Sequence, residues 1–123
     1  MRIIKITKSD LDKDNFYKKD EIGAYNSYED VDVEIEEDLG WVRFKKGIYI
    51  NGSIVAKAGS GIEAGDGIKA GLGIKAGWGI VSLYSWIKAK LKIQIDARCV
   101  IVAGIFSFNG KQDVEAQEII GTV

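Results

Sequence analysis

The chain reads as an all-β protein, a triangular β-solenoid (β-helix) of about four coils carrying a β-rich N-terminal cap. Three observations predict it. Isoleucine recurs at every sixth residue, at Ile62, Ile68, Ile74 and Ile80, each followed two places later by a small residue, Ala64, Ala70, Ala76 and Ser82. Eight glycines stand between Gly59 and Gly79, mostly as the corner of a repeated Ile-x-Ala-Gly-x-Gly hexad. The residue between each inward pair is charged in the middle hexads, at Glu63, Lys69 and Lys75.

Apolar residues two apart suit a very short strand, because alternate side chains face the same way. The first and third residues of each hexad therefore point inward, and the second (Glu63, Lys69, Lys75, Lys88, Gln94) points outward. The glycines are expected to make the corners, where positive φ is cheap for them alone. Chains that turn after every short strand stack on themselves, and three hexads per coil give a triangular prism with coils about 4.8 Å apart. A helix is excluded on magnitude, since each glycine costs it about 1 kcal/mol relative to alanine. The GxxxG spacings contain Glu63, Lys69 and Lys75, which excludes a membrane dimer face.

Taken in order, the elements fall into two parts. Residues 1–40 form the cap. Arg2 to Thr7 reads as a strand, and Ser9 can cap a short helix or turn over residues 10–19. Val31, Val33 and Ile35 alternate with Asp32, Glu34 and Glu36, a strand with one acidic face. It is expected to pair antiparallel with the basic run around Arg43 and Lys45, acids opposite bases. Residues 41–123 form the solenoid. The frame runs Val42/Phe44, Ile48/Ile50 and Ile54/Ala56, gains two residues before Ile62, and gains one more near Trp86. It resumes as Ile87/Ala89, Ile93/Ile95, Cys99/Ile101 and Ile105/Ser107. Alanine at third positions predicts a narrow interior in the middle; Phe44, Ile50, Ile95 and Ile101 predict a wider one towards each end.

Composition removes whole classes of function. The chain has 123 residues, no histidine and one cysteine. It therefore lacks the commonest general base and metal ligand, and Cys99 has no intrachain disulfide partner. The longest charge-free apolar stretch, residues 76–87, falls short of the roughly 20 residues a membrane span needs. Charge follows too soon after Met1 for a secretory signal. A cytoplasmic protein that does not engage a membrane is expected. Residues 1–38 hold twelve acids against six bases, and the remainder six acids against eleven, so the chain is acidic first and basic after.

Individual motifs carry little chemistry. Asp10, Asp12, Asp14, Asn15 and Glu21 have the spacing of a calcium loop, but the flanking sequence reads as strand, and an acidic turn is the better reading. The glycines around Gly59 and Gly104 miss the nucleotide-loop spacings. No catalytic residue, metal site or cofactor is expected. Cys99 falls at an inward position, where cysteine acts as a small hydrophobe. Lys88, Lys90 and Lys92 form a basic cluster without the aromatic interleaving of an RNA-binding module.

Two features remain for recognition. Leu72 and the aromatic residues Trp78, Tyr84 and Trp86 sit at corner tips or at the frame shift, and are expected to stand out as a ridge suited to a protein partner, or to a second copy in a homodimer. The second is the acidic run Glu29, Asp30, Asp32, Glu34, Glu36, Glu37 and Asp38. Alternate side chains on a strand lie about 6.6–6.8 Å apart, close to phosphate spacing, so the run either competes for the basic groove of a nucleic-acid-binding effector or solubilises one face.

The hexads resemble the hexapeptide-repeat left-handed β-helix. That family usually places a small inward residue two positions before its aliphatic one, where this chain has Asp66, Leu72 and Trp78, so handedness stays open. Members are often acyltransferases that use a histidine, which this chain lacks. Over residues 54–80 the Gly-Ile-Lys-Ala-Gly ladder is also similar to small phage and mobile-element proteins of the anti-CRISPR type. That resemblance implies a non-catalytic inhibitor which sterically blocks a host nucleic-acid-handling complex. A self-assembling scaffold, resembling the bactofilins, is the alternative.

Overall fold

A computed structural model describes residues 2–19, 22, 28–83, 86–90, 92–95, 101–103 and 114–120. Fourteen strands are described. They are β1 (Arg2–Ile6), β2 (Val31–Ile35), β3 (Gly40–Phe44), β4 (Ile48–Ile50), β5 (Ile54–Ala56), β6 (Ser60–Ala64), β7 (Ile68–Ala70), β8 (Gly73–Ala76), β9 (Ile80–Ser82), β10 (Ile87–Ala89), β11 (Lys92–Ile95), β12 (Ile101–Ala103), β13 (Val114–Glu115) and β14 (Glu118–Ile120). A 3-10 turn, Lys8–Asp10, follows β1.

All ladders between these strands are parallel, and they form three sheets. The first runs β1-β2-β5-β8-β11-β14, the second β3-β6-β9-β12 and the third β4-β7-β10-β13. Successive strands change sheet and every third returns to the same one, so the chain is a three-sided β-solenoid. About three turns close among the described residues (β2–β4, β5–β7, β8–β10), where the hexads predict about four. The difference lies in the last rungs, β11 to β13, whose connections at 96–100 and 104–113 are outside the described residues.

The isoleucine column is dry. Val33, Ile54, Ile74 and Ile93 stack in register on the first sheet, Val42, Ile62 and Ile80 on the second, Ile48, Ile68 and Ile87 on the third. Every one of them is buried. Burying an isoleucine side chain stabilises by about 1.5–3 kcal/mol, so the column is the main source of cohesion. The third positions follow the expected gradient: Ile35, Phe44 and Ile50 fill the first coil, while Ala56, Ala64, Ala70, Ala76, Ser82 and Ala89 line the next two. One register differs. Ile101 pairs with Ile80, so it occupies a first position and not the third position of a Cys99/Ile101 hexad. Two extra residues enter between Ile93 and Ile101, as they do between Ile54 and Ile62.

The acidic strand also sits differently. β2 does not pair antiparallel with residues 42–45; its neighbours are β1 and β5, both parallel, while β3 lies on the next face. A corner separates β2 from β3, and a corner always moves the chain to another sheet.

The described residues before β2 overlie the first coil on all three sides. β1 extends the first sheet. Residues 15–17 run parallel along β3, with the Arg43 N–H donating to the Asn15 carbonyl (2.9 Å) and the Tyr17 N–H to the Arg43 carbonyl (2.8 Å). On the third side, the Tyr49 N–H donates to the Ile22 carbonyl and the Asn51 N–H to the Glu29 carbonyl, both at 2.9 Å. Ile4, Ile6, Leu11, Tyr17 and Ile22 are buried over the column. Backbone edges that would otherwise stand open are thereby satisfied. No helix among the described residues is long and apolar enough to cross a membrane.

Candidate functional site

The ladder glycines are required for a reason other than positive φ. Among the described glycines only Gly40 and Gly59 have positive φ. At Gly71 a Cβ would lie 2.1 Å from the Asn51 carbonyl oxygen, and at Gly65 it would lie 2.4 Å from the Lys45 carbonyl oxygen. These two corners nest under the backbone of the coil before them, and no side chain fits between. Glycine here serves close approach of backbone to backbone.

Corner tips of successive hexads therefore fall on successive edges of the prism, and the expected ridge is divided. Leu72 lies on the edge between the third and first sheets, Trp78 on that between the first and second, and Trp86 on that between the second and third. Tyr84 lies outside the described residues. Trp86 is half-buried: its ring lies over Gly67, edge-on to Tyr49 at 6.0 Å between centroids, with the Lys88 ammonium 5.2 Å from it. It covers the third face. Leu72 and Trp78 are exposed, at 41% and 43%.

Trp78 has a partner that sequence reasoning missed. Trp41, 37% exposed, meets it edge-on with ring centroids 6.2 Å apart. Gly61 lies beneath both, since a Cβ there would come within 2.7 Å of the Trp41 ring and 3.2 Å of Trp78 Cβ. The signal was present: Val42 is in register with Ile62, which sets Trp41 over Gly61. It required knowing that the first coil-to-coil step is 20 residues.

A serine builds this corner. Ser60 is fully buried; its hydroxyl donates to the Glu36 carbonyl and accepts from the Leu39 N–H (3.0 Å), while its carbonyl accepts from the Trp78 N–H (3.0 Å). Asn15 Nδ2 donates to the carbonyls of Leu39 (2.8 Å) and Trp41 (3.1 Å). The Asp38 N–H donates to the Ala58 carbonyl, and the Gly40 N–H to that of Gly59. Residues 36–41, 57–61 and 77–79 are thus fixed as one surface.

The acidic run separates into engaged and available groups. Asp30 accepts from Asn51 Nδ2 (2.6 Å) and Asp32 from the Ser53 N–H (2.8 Å). Glu34 pairs with Lys57 at 2.8 Å. That hydrogen bond and the lysine charge hold the Glu34 carboxyl below its usual range and the Lys57 ammonium above its own. Glu29 is half-buried beside Ile50. Glu36, Glu37 and Asp38 are exposed and form no ion pair among the described residues. They lead directly into Trp41. The acids available for recognition are therefore a corner cluster and not a row along the strand.

The calcium-like run has other uses. Asp10 Oδ2 accepts from the Thr7 N–H (2.8 Å), and Asp12 Oδ1 from the N–H groups of Asp14 and Phe16 (both 2.9 Å). These bonds, that from Phe16 above all, hold the Asp12 carboxyl below its usual range. Glu21 and Cys99 lie outside the described residues. No group of three or more ligating side chains converges on a metal position among the described residues. No family model matches the chain, and no curated protein or solved structure matches it significantly.

Proposed function

We propose that this chain is a non-catalytic protein-interaction module whose recognition surface is the prism edge carrying Trp41, Trp78, Glu36, Glu37 and Asp38. The observation that carries the reading is the pair of exposed indoles on a fixed corner, flanked by exposed carboxylates that form no ion pair among the described residues. Exposed tryptophans on a fixed backbone are the usual energetic centres of interfaces. Adjacent carboxylates select a basic surface and speed its encounter. A basic groove that handles nucleic acid fits this chemistry, and occupying it would exclude the nucleic acid. The resemblance read from the sequence of residues 54–80, to small phage and mobile-element proteins of the anti-CRISPR type, implies the same direction: an inhibitor acting by steric blockade.

Immobilised protein tests this against lysate of a bacterial host. Wild type should retain a nucleic-acid-binding protein, released as salt rises, and should lower that protein's affinity for its nucleic acid. Trp41→Ala with Trp78→Ala, and separately Glu36→Lys with Glu37→Lys, should each abolish retention while leaving the circular dichroism unchanged. Equal retention by wild type and both variants rejects the surface.

A further inference from the structure

Five large apolar side chains are exposed among the described residues: Trp41, Leu72, Trp78, Ile3 and Ile120. The first three occupy prism edges. Ile3 and Ile120 do not; they lie on β1 and β14, the two outermost strands of the six-stranded sheet, at opposite ends of the molecule. Ile3 is 52% exposed and Ile120 39%. β1 pairs only with β2 and β14 only with β11, so each leaves one row of backbone groups without a strand partner among the described residues.

We infer that these two edges are complementary docking surfaces, and that the partner each accepts is the opposite edge of a second copy of this chain. Every strand of the sheet runs the same way, so the first edge of one copy presents to the last edge of another the same parallel ladder that joins strands within the molecule. Two like edges could not meet in that pattern. Side-chain alternation restricts the register, because a slip of one residue would turn inward residues out. The inward column runs Ile4, Val33, Ile54, Ile74, Ile93, Ile119. Extending it sets Ile4 of one copy beside Ile119 of the next.

That register brings four outward groups into complementary places. Ile3 of one copy falls beside Glu118 of the next, and Lys5 beside Ile120. On the diagonals Ile3 meets Ile120 and the Lys5 ammonium meets the Glu118 carboxylate. Lys5 forms no ion pair among the described residues, its in-register neighbour Glu34 being held by Lys57. The contact is head-to-tail, so it propagates rather than closes. Two short strands bury less than the roughly 1,000 Å² of a stable interface, so association is concentration-dependent. This inference is independent of the indole corner.

Sedimentation velocity from about 10 µM to about 1 mM reads it in the range of weak association. Wild type should grow steadily in mean mass. Ile3→Lys and Ile120→Lys should each remain monomeric, with melting curves like wild type, because both positions are exposed. Mixed in equal amounts they should give a dimer and nothing larger, since each variant retains the edge the other has lost. Charge reversal supplies a second test that leaves the isoleucines in place. Lys5→Glu or Glu118→Lys alone should weaken association about tenfold, and the double variant should recover it. A wild type that stays monomeric throughout, or lysine variants that associate as it does, would overturn the inference.

Discussion

Two kinds of corner share one prism. Those entering β8 and leaving β6 are regular: they keep the six-residue step, and Gly71 and Gly65 lie almost against the carbonyls of the coil before. The corner between the first and second sheets is irregular. Its steps run from Val33 to Val42, Ile54 to Ile62, Ile74 to Ile80 and Ile93 to Ile101. It uses left-handed backbone at Asp38, Gly40 and Gly59 and a buried serine as its internal support. The regular corners are specified by what must be absent, a Cβ. The irregular one needs bare glycine too, at Gly77 against the Lys57 carbonyl and at Gly61 under Trp41, but it is specified as well by what is present, and among the described residues only there does a pair of large side chains stand exposed together.

Substitutions can break this comparison at several depths. Ile74→Asp places an unpaired carboxylate in the column between Ile54 and Ile93 and should abolish the folded state, seen as loss of any cooperative thermal transition. Gly71→Ala should cost about 3 kcal/mol in urea unfolding, because the clash is with backbone that cannot rotate away. Ser60→Ala should cost about 2 kcal/mol by the same measurement, by leaving the Leu39 N–H and the Glu36 carbonyl without partners. Gly59→Ala should cost about 1–2 kcal/mol: φ is positive there, and although the Asp38 carboxylate nearest the new Cβ can swing aside, the Asp38 Cα and N stay at 3.0 and 3.1 Å. If Gly59→Ala proves worse than Gly71→Ala, backbone conformation and not coil stacking governs the glycines.

The smallest effect is electrostatic. The folded-state pKa of Glu34 is depressed below its ordinary 4.5. Its pairing therefore stabilises above that value and is lost as pH falls through the lower, folded one. Both partners of the pair are partly exposed, so the loss is slight and shrinks with salt. Glu34→Gln should flatten the acid limb of a stability–pH curve measured at low ionic strength.

Much of this was legible in the sequence because the column is periodic. From Val42 to Ile95 every first and third residue assigned by the hexads is buried, and the switch from large to small third positions follows the spelling of the chain. What the spelling hid depends on three-dimensional stacking. The register of Ile101 turned on two inserted residues that no glycine marks. Trp41 stands alone in sequence and gains its meaning from Gly61, one coil away. Leu72, Trp78 and Trp86 look like a series but alternate around a triangle, so their nearness along the chain places them on different edges. The acids of β2 read as a uniform face, whereas Asn51, Ser53 and Lys57 on the coil below engage Asp30, Asp32 and Glu34, and the exposed acids without such a bond gather at the corner.

The unequal steps at the irregular corner carry an engineering consequence. Lengths of nine, eight, six and eight residues all return the chain to the same column, so this edge departs from six residues in three of its four steps, whereas from β3 to β11 the other two edges depart from it only once, in the seven residues from Ile80 to Ile87. Foreign segments grafted between Ala56 and Ser60, or between Ala76 and Ile80, would be displayed side by side at one inter-strand spacing. The molecule is in that respect a ready-made comb for presenting loops in parallel.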